Sequence, residues 1–80
     1  MGYHINTNIP KGDIGEFSKI KEEFYELEDA YIQNDKILQL CELTDLVGAI
    51  EEYIKKFNLT IEDLKKFSDK TKEAFKENKR

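Results

Sequence analysis

The sequence predicts an all-α protein: a single domain over residues 1–80, built from three helices that need a second copy to complete their packing. Three observations support this. Apolar residues recur at alternating steps of three and four over most of the chain, which is the period of a helix face. Stop and start residues interrupt that pattern twice, at Asn34-Asp35 and at Asn58-Leu59-Thr60. The middle segment is apolar on too many sides for two further short helices to cover it. The expected architecture is helices over about 14–33, 36–57 and 60–77 behind a short irregular leader, closed into a four-helix-type bundle by dimerisation.

The leader MGYHINTNIPKGDIG holds three of the four glycines and the only proline. Tyr3, Ile5 and Thr7 alternate too weakly to define a strand, so the leader reads as irregular with a bend at Pro10 to Gly12. His4 has no metal-ligating residue at a useful spacing and reads as a surface histidine. In the first helix Phe17, Ile20, Phe24, Leu27 and Tyr31 form a seam expected to face a partner helix. Asp35 is placed to cap the second helix, where Leu40, Leu43, Val47, Ile50, Ile54 and Phe57 form a ridge. Ile37, Leu38, Cys41, Leu46 and Ala49 widen that ridge almost all round. Thr60 and Asp63 then make a capping-box variant that starts the third helix, whose apolar side carries Ile61, Leu64, Phe67, Thr71, Ala74 and Phe75.

A net charge of −4 and a pI near 5.0 argue against a nucleic-acid surface. No stretch reaches the apolar length of a bilayer span, and no signal-peptide pattern is present, so the expectation is a cytoplasmic protein that meets no membrane. Cys41 is the only cysteine and lies in an apolar run, which predicts a buried free thiol.

Against this background two acidic pairs stand out. Glu23 and Glu26 lie three residues apart on the first helix, and Glu42 and Asp45 repeat that step inside the apolar run CELTDLVGAI. Residues three apart share a helix face. With the turn centred near Asn34, Glu26 and Glu42 each lie eight residues from it, and Glu23 and Asp45 each lie eleven. At about 1.5 Å of rise per residue, each pair sits at one height of an antiparallel hairpin. Ala30 and Ala49 on the same stripes are small enough to leave room beside the acids. Four carboxylates in low dielectric cannot all stay ionised alone, and oxygen-only ligands suit Mg²⁺, with Mn²⁺ as the alternative. Seventeen acids in 80 residues also generate such pairs by chance as solvated faces, so spacing alone leaves the metal site and the solvated face evenly matched. The apolar setting of Glu42 and Asp45 tips the balance towards the metal site.

Glu22-Glu23-x-x-Glu26, a gap of 15 residues and then Glu42-x-x-Asp45 resembles the EExxE…ExxD signature of MazG-like proteins, all-α nucleoside triphosphate pyrophosphohydrolases. The segments GEFSKIKEEFYELEDA, ELTDLVGAIEEYI and SDKTKEAFKENKR carry the likeness over most of the chain. The resemblance implies Glu23, Glu26, Glu42 and Asp45 as metal ligands for Mg²⁺, with Glu22 or Glu23 as the catalytic acid that takes the attacking water's proton. It implies Lys70, with Asp69 as a weaker contributor, as the phosphate-binding position on the last helix. The implied reaction is NTP + H₂O → NMP + PPi by water attack at the α-phosphorus, in a homodimer or homotetramer. The alternative is a weakly active or inactive helical dimer that binds a nucleotide or regulates a partner.

Overall fold

The computed structural model describes residues 8–76, with side chains placed as far as residue 72. The expectations for Tyr3, His4, Ile5 and Thr7, and a third helix reaching 77, fall outside the described residues. Within them the chain is helical: α1 (Phe17–Ile32), α2 (Lys36–Ile54), a 3₁₀ turn over Lys55–Phe57, and α3 (Ile61–Lys76). None of the described residues forms a strand.

Local chemistry sets the boundaries. α1 begins at Phe17 rather than near 14 because Asp13 to Glu16 close a turn, with the Glu16 N–H donating to the Asp13 carbonyl at 3.0 Å. Gly15 adopts φ +87° in that turn, a conformation that favours glycine. The turn therefore lies a few residues after the expected bend at Pro10 to Gly12. Asn34 breaks the hairpin by taking a left-handed φ of 58°. The Asp35 carboxylate then accepts the Leu38 N–H at 2.9 Å, which is the predicted cap of α2. Asn58 repeats the left-handed stop with φ 58°. The reciprocal pair at the start of α3 is also present, the Thr60 N–H donating to Asp63 Oδ2 at 2.8 Å and the Asp63 N–H to Thr60 Oγ1 at 3.3 Å.

α1 and α2 pack as an antiparallel hairpin, whereas α3 has no packed interface with either of them among the described residues. The Cα radius of gyration of 15.1 Å reflects this. It exceeds the value of about 12 Å typical of a compact chain of this length.

The hairpin closes through an unexpected face. The seam of α1 is only partly covered: Phe17, Phe24 and Tyr31 are half or more exposed. Leu40, Leu43, Val47 and Phe57 of the second ridge are exposed as well. Among the described residues the buried apolar ones are Ala30, Leu38, Ala49 and Ile54. Ala30 is completely buried, so its small side chain lets the helices close rather than leaving open space. Cys41 shares the outward face and is exposed, which corrects the expectation of a buried thiol. An amphipathic pattern identifies the face that avoids water, but not the chain that covers it.

At the open end of the hairpin, Tyr53 packs edge-on against Phe17 and Phe57, at centroid distances of 6.4 and 5.6 Å. Lys56 lies 5.4 Å over the Tyr53 ring and pairs with Glu16 at 2.7 Å. This cluster ties the start of α1 to the end of α2 and fixes the register between their stripes.

Candidate metal centre

The two stripes that meet inside the hairpin are the acidic ones. Glu22, Glu23 and Glu42 are each about 95 % buried. Carboxylate oxygens of Glu23, Glu42 and Asp45 lie within 4.8 Å of one another, and those of Glu22, Glu23 and Glu26 do likewise. Glu23 belongs to both triplets and is the hub of the cluster. The height argument thus places Glu23 with Asp45 as expected, while Glu26 joins the group through its neighbours on α1.

The environments of Glu22 and Glu23 differ. Glu22 Oε1 accepts the Gly12 N–H at 2.8 Å and Lys19 Nζ at 3.1 Å, and Lys11 Nζ lies 3.9 Å from Oε2. Burial acts to raise the Glu22 pKa, but the Gly12 N–H and the two lysines outweigh it, and the carboxyl lies below its ordinary range. Glu22 therefore acts as the clasp that fastens the leader onto α1. Gly12 suits this clasp because a Cβ there would fall 2.3 Å from the Ser18 backbone.

Glu23 is shifted the other way. Burial first, then the charges of Glu26 and Asp45, push its carboxyl above the ordinary range, with Lys19 opposing them. Lys19 Nζ lies 3.4 Å from Glu23 Oε1. Glu23 Oε2 is fully buried and has no hydrogen-bond partner among the described residues. A buried carboxylate oxygen left without a donor is costly unless a cation or a proton completes it. Five carboxylates face two lysines here, so the donor set fits a hard divalent cation.

A cavity of about 420 Å³ opens beside the cluster, lined among others by Lys19, Glu23, Asp45, Gly48, Ala49 and Glu52. Gly48 lies within α2, where glycine costs about 1 kcal/mol relative to alanine, and a Cβ there would meet nothing within 4 Å. Nothing in the protomer requires a glycine at this position, whereas the cavity gains width from it. Gly48→Ala is expected to raise stability by about 0.5–1 kcal/mol in denaturant unfolding without metal. An unchanged or lower midpoint would mean that a partner already occupies this space.

Asp69 and Lys70 are not brought to the cluster within the protomer. Both are exposed on α3, where Lys70 lines a separate pocket with Leu59, Asp63, Lys66 and Phe67. By spacing, Lys19 falls on the same stripe as Glu23 and Glu26, where the sequence suggests only a weak ion pair; the residue that sequence reasoning missed is Gly12. Gly12 carried no signal, because its role depends on a contact ten residues along the chain.

Compared with family models, curated proteins and solved structures, the chain matches none of them. The functional reading therefore rests on the residues themselves. No helix among the described residues is long and apolar enough to cross a membrane.

Proposed function

We propose that the protein is a Mg²⁺-dependent nucleoside triphosphate pyrophosphohydrolase that works as a homodimer or a higher even assembly such as a homotetramer. The observation that carries this reading is the approach of exposed Asp45 to the buried Glu23 and Glu42 across the hairpin, with one buried Glu23 oxygen lacking a donor among the described residues. Glu23, Glu26, Glu42 and Asp45 would hold the metal, Mg²⁺ or Mn²⁺. When bound, the ion would neutralise phosphate oxygens and lower the pKa of the attacking water.

The remaining work falls to the chain's own groups. A carboxylate beside the ion, Glu22 or Glu23, would accept the water's proton. The α1–α2 hairpin holds the acids at fixed heights, so that position and charge are set before substrate arrives. Leu38 and Ala49, buried on the same stripe as Glu42, limit water around them.

Dimerisation follows from the outward ridges. Eleven large apolar residues are exposed among the described residues, including Phe24, Leu40, Leu43 and Val47 along the hairpin and Phe67 on α3. Monomers rarely expose contiguous apolar patches beyond a few hundred Å². A second hairpin laid against this face would complete a four-helix bundle and give α3 a surface to dock on. The same ridges explain how a chain with so small an internal core could be stable.

The direct test incubates the protein with Mg²⁺ and a panel of standard and modified nucleoside triphosphates and assays released pyrophosphate. Turnover that disappears in Glu42→Gln and Asp45→Asn supports the reading. Nucleotide binding without turnover of any triphosphate would support the nucleotide-binding dimer instead.

A further inference from the structure

We propose that Lys19 is the cation that contacts the phosphate oxygens of the substrate, and that in the metal-free protein it serves as the counter-ion of the acid cluster. This rests on the pyrophosphohydrolase reading above and assigns the phosphate contact within that site.

The argument starts from charge. A cavity walled by Glu23, Asp45 and Glu52 repels a triphosphate, and a metal held by carboxylates only partly reverses that field. Lys19 is the one basic residue in the cavity wall among the described residues. Lys55 is already engaged by Glu52 at 2.8 Å on the outer surface. Lys19 therefore stands where a polyanion needs a cation. Its side chain is 27 % exposed, which leaves the ammonium a path to the cavity.

The second part of the argument is exchange. Glu22 has the Gly12 N–H and Lys11 besides Lys19, so the leader clasp survives if Lys19 turns away. Glu23 Oε1 faces Lys19 at 3.4 Å, and a divalent cation drawn to Glu23 replaces that attraction and repels the ammonium. Lysine carries a compact charge on a flexible four-carbon stem with three rotatable donors, which suits it to swing between two anionic partners. A lysine side chain is ordinarily charged at neutral pH, so it can serve as a cation in either position. The family resemblance implied Lys70 for this contact, but among the described residues only Lys19 borders both the acids and the cavity.

The test uses calorimetry with two probes, Mn²⁺ alone and then inorganic pyrophosphate added to the Mn²⁺-saturated protein. Wild type should bind both. Lys19→Met should bind Mn²⁺ as tightly or more tightly, because a competing cation is gone, while pyrophosphate affinity falls at least about tenfold. Lys19→Arg should stay within about threefold of wild type, and the exposed-surface control Lys65→Met should not differ from it. Pyrophosphate affinity within twofold of wild type in Lys19→Met overturns the Lys19 assignment and leaves the metal centre standing. Failure of wild type to bind Mn²⁺ overturns the metal centre, and Lys19 with it. Should Lys19→Met not fold, the ¹⁵Nζ resonance of Lys19 in Mg²⁺-loaded wild type provides the readout: it should shift on adding pyrophosphate, and an unmoved resonance overturns the proposal.

Discussion

Glu23→Gln is expected to stabilise the metal-free protein while abolishing its response to Mg²⁺. The two effects have one cause. Glu23 is buried, lies within 4.8 Å of other carboxylate oxygens on both helices, and leaves Oε2 without a donor. Its carboxyl is raised by burial and then by the charges of Glu26 and Asp45. A group whose folded pKa is raised binds its proton more tightly in the native state than in the unfolded chain. Its contribution to stability is thus fully present below the unfolded pKa and is lost as pH rises through the folded one. In metal-free wild type this contribution declines from mildly acidic pH towards neutrality. Glutamine keeps the shape and removes the charge, so that decline should flatten. At neutral pH the metal-free melting temperature should rise by about 5 °C, equivalent to about 1 kcal/mol for a domain of this size. The Mg²⁺-induced thermal shift should vanish, and any turnover should fall at least about a hundredfold. A scanning-fluorimetry series over pH with and without Mg²⁺ measures both arms. A variant that melts lower than wild type without metal at neutral pH would show that Glu23 is satisfied by the protein alone.

The second large effect concerns the outward ridge. Leu43 and Val47 lie one turn apart on α2, 44 % and 50 % exposed in the protomer. If a second hairpin covers them, replacing both with lysine places two ammonium groups in an apolar interface, at a cost of several kcal/mol each. The wild-type chain of 9.4 kDa should elute with at least twice that mass in light-scattering chromatography. The Leu43→Lys, Val47→Lys variant should dissociate at micromolar concentration and lose much of its helicity, because Ala30, Leu38, Ala49 and Ile54 make too small a core to hold the hairpin alone. A variant that keeps wild-type mass and melting temperature would place the interface elsewhere.

The sequence was most legible where structure depends on neighbours in the chain. The Asp35 cap, the Thr60–Asp63 reciprocal pair and the two asparagine stops are each settled within a few residues. The equal heights of the acids needed only the rise of a helix and the position of one turn. Packing was less legible. Periodicity identified Phe17, Phe24 and Tyr31 as a seam, but the buried contacts of α1 lie on the acidic stripe, and much of the apolar seam is exposed in the protomer. Cys41 was misplaced for the same reason. The Glu22 clasp was hidden because Gly12 reaches α1 through a backbone N–H, which every residue but proline has. The sequence showed a helical α3 but not its position, because among the described residues no other helix packs against it.

The central claim is that Glu23, Glu26, Glu42 and Asp45 hold a divalent cation, and calorimetric titration of Mn²⁺ into wild type, Glu42→Gln and Asp45→Asn tests it most directly. The expected result is saturable uptake of at least one ion per wild-type protomer, weakened at least about tenfold by either substitution. No saturable uptake by wild type, or equal uptake by all three proteins, would contradict it.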